Sequence, residues 1–382
     1  MSDKMYAKKY FLKMVAACIN GQPIPVCPDD VDVADIIKLS QHNTVQGIMY
    51  QAIKSGSIKV SENVKKTVER VYISHVMRDA SQTEEISFIR NKFSESKIKY
   101  MFLKGTHLKN LYSSPEIRFM VDMDILVHKD DVNLGKKIFL DRNYSQEMNN
   151  GKDIVFIKQP FLTIELHQML FVDGYFMHDY FLDVWKRAEK VSEYEYCMSL
   201  NDLFIYTLAH LTEHYIEVGS CFRPMMDLYL MHKKYESELD FEYIFREFDK
   251  LGIKAFAENI IKLYKCMFDC DGEYNESLTI MENYIVFGAP VKNASEASIL
   301  ARTKKKKIQR YIDALFPNIK HMSLIYPVLE KVPILLPIFW VVRFFKYFFT
   351  KRDDLKHKKQ MISDVDQKSA DIMREIFDKS GL

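Results

Sequence analysis

The chain has 382 residues, of which 48% are hydrophobic and 28% charged, a composition that excludes a largely disordered protein. Its 54 Lys+Arg stand against 52 Asp+Glu for a formal net charge of +2, so the basic excess of a dedicated nucleic-acid binder is missing. Length sets a prior of about two to three domains. The 12 Gly and 11 Pro are few for such a length and favour helices over a sandwich or barrel. Cys18, Cys27, Cys197, Cys221, Cys266 and Cys270 are too sparse for a disulfide scaffold, and no spacing matches a zinc pair. They read as free thiols in a reducing, cytoplasmic setting. The N-terminal stretch is interrupted by Lys13 and lacks a signal-peptide pattern.

Residues 1–95 read as an N-terminal helical region. Phe11, Met14, Val15 and Cys18 fall at helical spacing, and Val64 to Phe93 continues that period above a charged face. Turn signals interrupt it at 21–28 and 55–57. The texture changes at Lys97, opening an α/β core over 96–190. Ile98–Leu103 is a short buried strand, His107–Tyr112 a helical segment, and Ser113-Ser114-Pro115 a turn. Val121–Val127 alternates, with Val121, Met123 and Ile125 on one face and Asp122 and Asp124 on the other. Lys129–Asn143 fits a helix, and Ile154–Lys158 and Leu162–His167 form a strand pair around Gln159-Pro160. Helical periodicity returns over 191–330, in Asp202–Ile216, Pro224–Tyr235, Tyr243–Leu251 and Lys254–Phe268. The last region, 331–382, holds an apolar segment and a charged tail. No eighteen-residue uncharged apolar run occurs.

The chemistry concentrates in the core. Two carboxylates at i and i+2 on a strand point the same way and suit a hard divalent cation. Asp is a poor strand former, and the like charges of Asp122 and Asp124 beside Met123, Ile125 and Val127 repel unless a cation neutralises them. A solvated strand edge is the plainer account, but it gives no reason for the local cost. Upstream, Lys104-Gly105-Thr106 ends a strand and opens a helix, where free N–H groups, a hydroxyl and an ammonium could meet phosphate. Downstream, alternation puts Thr163, Glu165 and His167 on one face. Three carboxylates on adjacent strands with a phosphate cradle describe a two-metal phosphoryl-transfer site.

The run FLKGTHLKNLYSSPEIRFMVDMDILV, followed by TIELH, resembles the DNA polymerase β-type nucleotidyltransferase superfamily. More narrowly it is similar to the bacterial uncharacterised nucleotidyltransferase family, with its LKG step, Tyr-x-x-Pro-x-x-Arg turn (Tyr112, Pro115, Arg118), DxDxLV strand and a later short strand ending in acidic-x-His. The strong motif spans about 100–167; weaker likeness reaches Asp202, His210, Arg223 and Asp227 and the LFPNIKHMSLIYP run. Thr106 departs from the wider pattern of Gly or Ser. The resemblance implies an α+β fold, with a polymerase β-like core and small mixed sheet flanked by N- and C-terminal helical regions. It also implies transfer of a nucleoside monophosphate from an NTP, ATP by default, to a hydroxyl or phosphate acceptor, with pyrophosphate released. Asp122 and Asp124 would hold Mg²⁺, or Mn²⁺ in its place, and Glu165 would complete the metal site and act on the attacking hydroxyl. Gly105 and Thr106 would touch the triphosphate, with Lys104 and Arg118 neutralising it.

Other residues carry weaker signals. Arg118 reads equally well as a surface salt-bridge residue. His210 and His214 lie one helical turn apart, but HLTEH is not the HExxH of a zinc protease. Arg223 and Asp227 are simplest as an intrahelical ion pair, although both could face the cleft, as could His210. His167 reads as support for Glu165. Arg302–Arg310 carries six basic residues in nine, commonest as a solvated face. The aromatic segment 334–352 could be buried or touch a membrane surface, and Pro333 and Pro337 argue against a straight spanning helix. Rival functions are a kinase-like transfer at the same metals, a non-catalytic nucleotide-binding module, and a membrane-surface interaction protein.

Overall fold

The computed structural model describes residues 3–217, 219, 221–269, 272–302, 316–326, 328–350 and 366–382. Cys270, the basic run Lys304–Lys307 and the tail from Lys351 to Val365 lie outside them. Four helices come first: α1 (Asp3–Ile19), α2 (Val33–His42), α3 (Gln46–Lys54) and the long α4 (Glu62–Glu95). The core follows as β1 (Tyr100–Phe102), α5 (Gly105–Leu108), β2 (Met123–Val127), α6 (Val132–Asp141), β3 (Ser145–Asn149), β4 (Asp153–Lys158) and β5 (Leu162–His167). Short helices α7 (His178–Phe181) and α8 (Val184–Arg187) lead to β6 (Glu189–Lys190) and β7 (Glu195–Cys197). The helical layer is α9 (Leu200–Glu217), α10 (Phe222–Tyr235), α11 (Phe241–Lys250), α12 (Lys254–Phe268), α13 (Glu276–Phe287) and α14 (Ala294–Arg302). The fold is α+β, as expected.

The seven strands run in the order β3-β4-β5-β2-β1-β7-β6. β2 pairs parallel with β5 and antiparallel with β1, so the sheet is mixed. Both faces of the sheet are covered, which is why every residue of β2 is buried. On one face Tyr100, Phe102, Met123, Ile125, Val127, Ile164 and Leu166 pack with Ile89 and Phe93 of α4 and Phe139 of α6. On the other, Met101, Leu103 and Leu126 join a larger core that unites α1–α3 with α9–α13. The N-terminal and C-terminal helices therefore share one apolar interior; a buried ion pair from Lys8 in α1 to Glu282 in α13 crosses it.

Of the expected strands, the first two are shorter, Tyr100–Phe102 and Met123–Val127, the third gains Asp153 and the fourth keeps its bounds, while β3, β6 and β7 are not anticipated. β3 reads SQEMN and is almost wholly exposed, so it carries no apolar alternation. β7 is three residues long, fixed by the buried Glu195, which accepts from Arg90 and from the Tyr100 hydroxyl. The expected helix at Lys129 starts with one 3₁₀ turn, Lys129–Asp131, before α6. Near the C-terminus, the helix Leu336–Thr350 lies on the 316–326 segment. The Trp340 indole donates to the Pro317 carbonyl at 2.9 Å, and Phe339 packs on Tyr326. Its other side leaves Ile338, Val341, Val342 and Phe345 exposed. Among the described residues, no helix is long and apolar enough to cross a membrane.

Candidate active site

A cleft of about 610 Å³ opens between the second face of the sheet and α9 and α10. β2 and β5 build its floor. Their parallel register sets Asp124 beside Glu165 and Leu126 beside His167, so the period-two alternation of both strands aims Asp124, Glu165 and His167 at the same face. Antiparallel pairing of β4 with β5 then places Asp153 opposite His167. Asp122, just before β2, lines the same cleft, with Lys104 and Gly105 from the β1–α5 bend. From α9 come His210, Glu213 and His214, and from α10 Arg223 and Asp227.

The acidic end is tightly connected. His167 Nε2 lies 2.9 Å from Asp124 Oδ1 and 3.4 Å from Glu165 Oε2. Lys104 Nζ is 3.5 Å from Asp124 Oδ1 and 2.8 Å from His210 Nε2, and His214 Nε2 is 3.2 Å from that same nitrogen. Burial works against the Asp124 charge, but the Lys104 ammonium and the His167 hydrogen bond outweigh it and hold this carboxyl well below the usual range. Asp122 moves the other way, raised by burial and then by the charges of Asp124 and Glu165. Burial also opposes the His167 cation, yet hydrogen bonds to Asp124 and Glu165 push it up to about 8. His210 is held far down by burial and then by Lys104, and His214 is lowered to about 4 by the same two causes. A neutral His210 accepting from Lys104 is the arrangement that geometry and charge both favour.

Among the described residues, Asp124, Glu165 and His167 present ligand atoms that all lie within 4.8 Å of one another. Two carboxylates and an imidazole on one sheet face fit a divalent cation in donor type and spacing. Asp122 is in the same cleft, although the tight group forms without it.

Several anticipated roles change. Arg118 lines the cleft and is not a surface residue. It is buried, and its Nε and Nη2 each donate to the Asp227 carboxylate at 2.7 Å. The Tyr112 hydroxyl donates to the same carboxylate at 2.8 Å. Asp227 therefore joins the Tyr-x-x-Pro-x-x-Arg turn to α10. The intrahelical Arg223–Asp227 pair gives way to this lock, and Arg223 donates instead to the Phe119 carbonyl. Thr106 is buried, its hydroxyl has no hydrogen-bond partner, and it does not line the cleft, so the expected hydroxyl-to-phosphate contact finds no support. Gly105 does line the cleft, and it is also closely packed. A Cβ there would come within 2.6 Å of Met120 Sδ and 2.8 Å of Arg118 Nη1. Lys104 beside it has φ +35°, a positive value that non-glycine residues rarely adopt. His167 supports Asp124 more closely than the Glu165 it was assigned to. Asp202, expected to belong to the wider motif, accepts from Ser199 and Arg187 and is absent from the cleft lining.

Asp153, Lys152 and Glu213 were not anticipated. Lys152 Nζ sits 3.3 Å from Glu213 Oε2 across the cleft. Asp153 had one faint signal, its place at the start of the IVFIK strand, but only the register puts it at His167.

No curated protein and no solved structure matches the chain. A family model described as uncharacterised nucleotidyltransferase matches residues 29–269, which takes in α2 to α4, the whole sheet, the cleft and α9 to α12. With that match over well over half its length, the chain belongs to the uncharacterised nucleotidyltransferase family.

Proposed function

We propose that this protein transfers a nucleoside monophosphate from an NTP, ATP by default, to a hydroxyl or phosphate acceptor. The observation that carries it is the register-paired Asp124 and Glu165, with Asp122 close by, at one end of a cleft inside the family-matched region. A divalent cation, Mg²⁺ or Mn²⁺ in its place, would be held by Asp122, Asp124 and Glu165 and would supply neutralisation of the triphosphate. Glu165 is half-buried and faces the open cleft, which suits it to take the proton from an acceptor hydroxyl. The acceptor oxygen then bonds to the α-phosphorus as the bond to pyrophosphate breaks. Lys104, fixed by His210, would bear on the charge that builds on the leaving group. Arg118 and Asp227 hold the wall of the cleft together and contact neither reactant in this reading. The free thiols Cys18, Cys27, Cys197 and Cys221 fit a reducing, cytoplasmic setting.

Product analysis tests the reaction class. The protein, each NTP, Mg²⁺ and a small-molecule extract are incubated together. Pyrophosphate release with a nucleotide-adducted product supports the proposal. Release of NDP with a phosphorylated product supports the kinase-like alternative.

A peripheral membrane contact through 334–352 is a second reading, favoured by a specific observation. Ile334 is 84% exposed and Ile338 57%, and they continue with Val341, Val342 and Phe345 as one apolar stripe. Flotation with anionic vesicles tests it: wild type should float, and a Val341→Ser/Phe345→Ser variant should not.

A further inference from the structure

We propose that His167 is itself a metal ligand, through Nε2, and that the site therefore takes a first-row transition cation such as Mn²⁺ in preference to Mg²⁺. This rests on the metal-dependent transfer argued above and narrows the metal it uses.

Distance speaks first. The 2.9 Å and 3.4 Å separations of His167 Nε2 from Asp124 Oδ1 and Glu165 Oε2 match the edges of a coordination shell. Adjacent ligands of an octahedral cation bound at about 2.1 Å lie about 3 Å apart. The backbone supports it, because Asp124 and Glu165 are paired across the parallel strands β2 and β5, and His167 follows Glu165 by two residues on the same face. The far side of the ring adds an independent observation. His167 is 2% exposed, and its Nδ1 is buried with no hydrogen-bond partner. Asp153 Oδ2 lies 3.8 Å from that nitrogen, from the β4 position directly opposite in the register. Metal-bound imidazoles characteristically direct the second nitrogen at a carboxylate, which fixes the tautomer and raises ligand basicity.

The donor set then decides the metal class. Mg²⁺ takes oxygen ligands and keeps its waters, whereas an imidazole nitrogen favours first-row transition cations. Carboxylates alone suit Mg²⁺. Here one strand supplies Glu165 and His167 together, so the site gains nitrogen without losing charge.

Pulsed EPR on the full-length protein with Mn²⁺ alone is the test. The expected spectrum shows imidazole nitrogen coupling in the wild type, retained in His210→Asn and His214→Asn and lost in His167→Gln. In parallel titrations, His167→Gln should weaken Mn²⁺ binding by about tenfold or more and Mg²⁺ binding by less than about threefold. Mn²⁺ bound with oxygen ligands only, or unchanged affinity in His167→Gln, would overturn the proposal while leaving metal-dependent transfer standing. Failure of any divalent cation to bind, with or without NTP, would overturn both. Should His167→Gln fail to fold, the wild-type spectrum with ¹⁵N-histidine decides whether an imidazole is bound at all.

Discussion

The two faces of β2 and β5 share one backbone and serve opposite ends. Met123, Ile125, Val127, Ile164 and Leu166 close against α4 and α6 in a purely apolar contact. One residue out of step, Asp124, Glu165 and His167 face the cleft. Burying a large aliphatic side chain contributes about 1.5–3 kcal/mol. Grouping carboxylates at low exposure costs free energy unless they are paired. The apolar face thus carries the stability that lets the other face hold repelling charges. A strand is well suited to this, since alternation separates the two tasks without any loop between them.

Breaking the polar face should affect chemistry and spare the fold. Asp122→Asn should reduce turnover by about a thousandfold or more, equivalent to about 4 kcal/mol, while thermal melting shows an unchanged or slightly raised midpoint, because burial and its acidic neighbours already disfavour the Asp122 charge. Breaking the wall of the cleft should do the reverse. Asp227→Ala leaves Arg118 and Tyr112 buried without their acceptor and should cost about 4 kcal/mol in urea denaturation. The double replacement Arg118→Met/Asp227→Leu should recover most of that loss, because it removes both charges. On the apolar face, Ile125→Ala should cost about 3 kcal/mol of stability and leave metal affinity of the folded protein unchanged.

A smaller effect sharpens the contrast from α4. His75 is buried against the Phe119 ring and its pKa is lowered to about 4, by burial and then by Arg78. Its folded value lies below the unfolded one of about 6.5, so the unfolded state binds the proton more readily. The resulting stability is present above pH 6.5 and is lost as pH falls toward 4, amounting to about 2 kcal/mol by pH 5. His75→Phe should flatten that part of the stability profile, measured by urea melts from pH 7 to pH 5. Least of all, Val341→Ser/Phe345→Ser should shift stability by no more than about 0.5 kcal/mol, since both side chains are exposed.

What the sequence reveals follows from the range of each interaction. Asp122, Asp124, Glu165 and His167 are legible because strand alternation is local and two Asp inside an apolar strand conflict with propensity. Their meeting on one face is a matter of parity, which the sequence carries. Asp153 is not legible, since its position opposite His167 depends on the β4–β5 register. The Arg118–Asp227 lock joins residues 109 apart, and only the packing of α10 on the 112–118 turn brings them together. Local spacing pointed to Arg223 instead, one turn away on the same helix. Thr106 follows the same lesson: the motif supplies a hydroxyl, but the structure buries it outside the cleft lining. The strand β3 escapes notice because its side chains are exposed on both sides, leaving only backbone pairing to define it.

The central claim is that the polar face of β2 and β5 holds a nucleotide through a divalent cation. Titration calorimetry of each NTP with Mg²⁺ or Mn²⁺, on the wild type and on Asp122→Asn/Asp124→Asn, tests it most directly. Metal-dependent binding of at least one NTP in the wild type, abolished in the double variant, is the predicted result. Nucleotide binding that persists without metal and is equal in the double variant, or no binding of any NTP to the wild type, would contradict it.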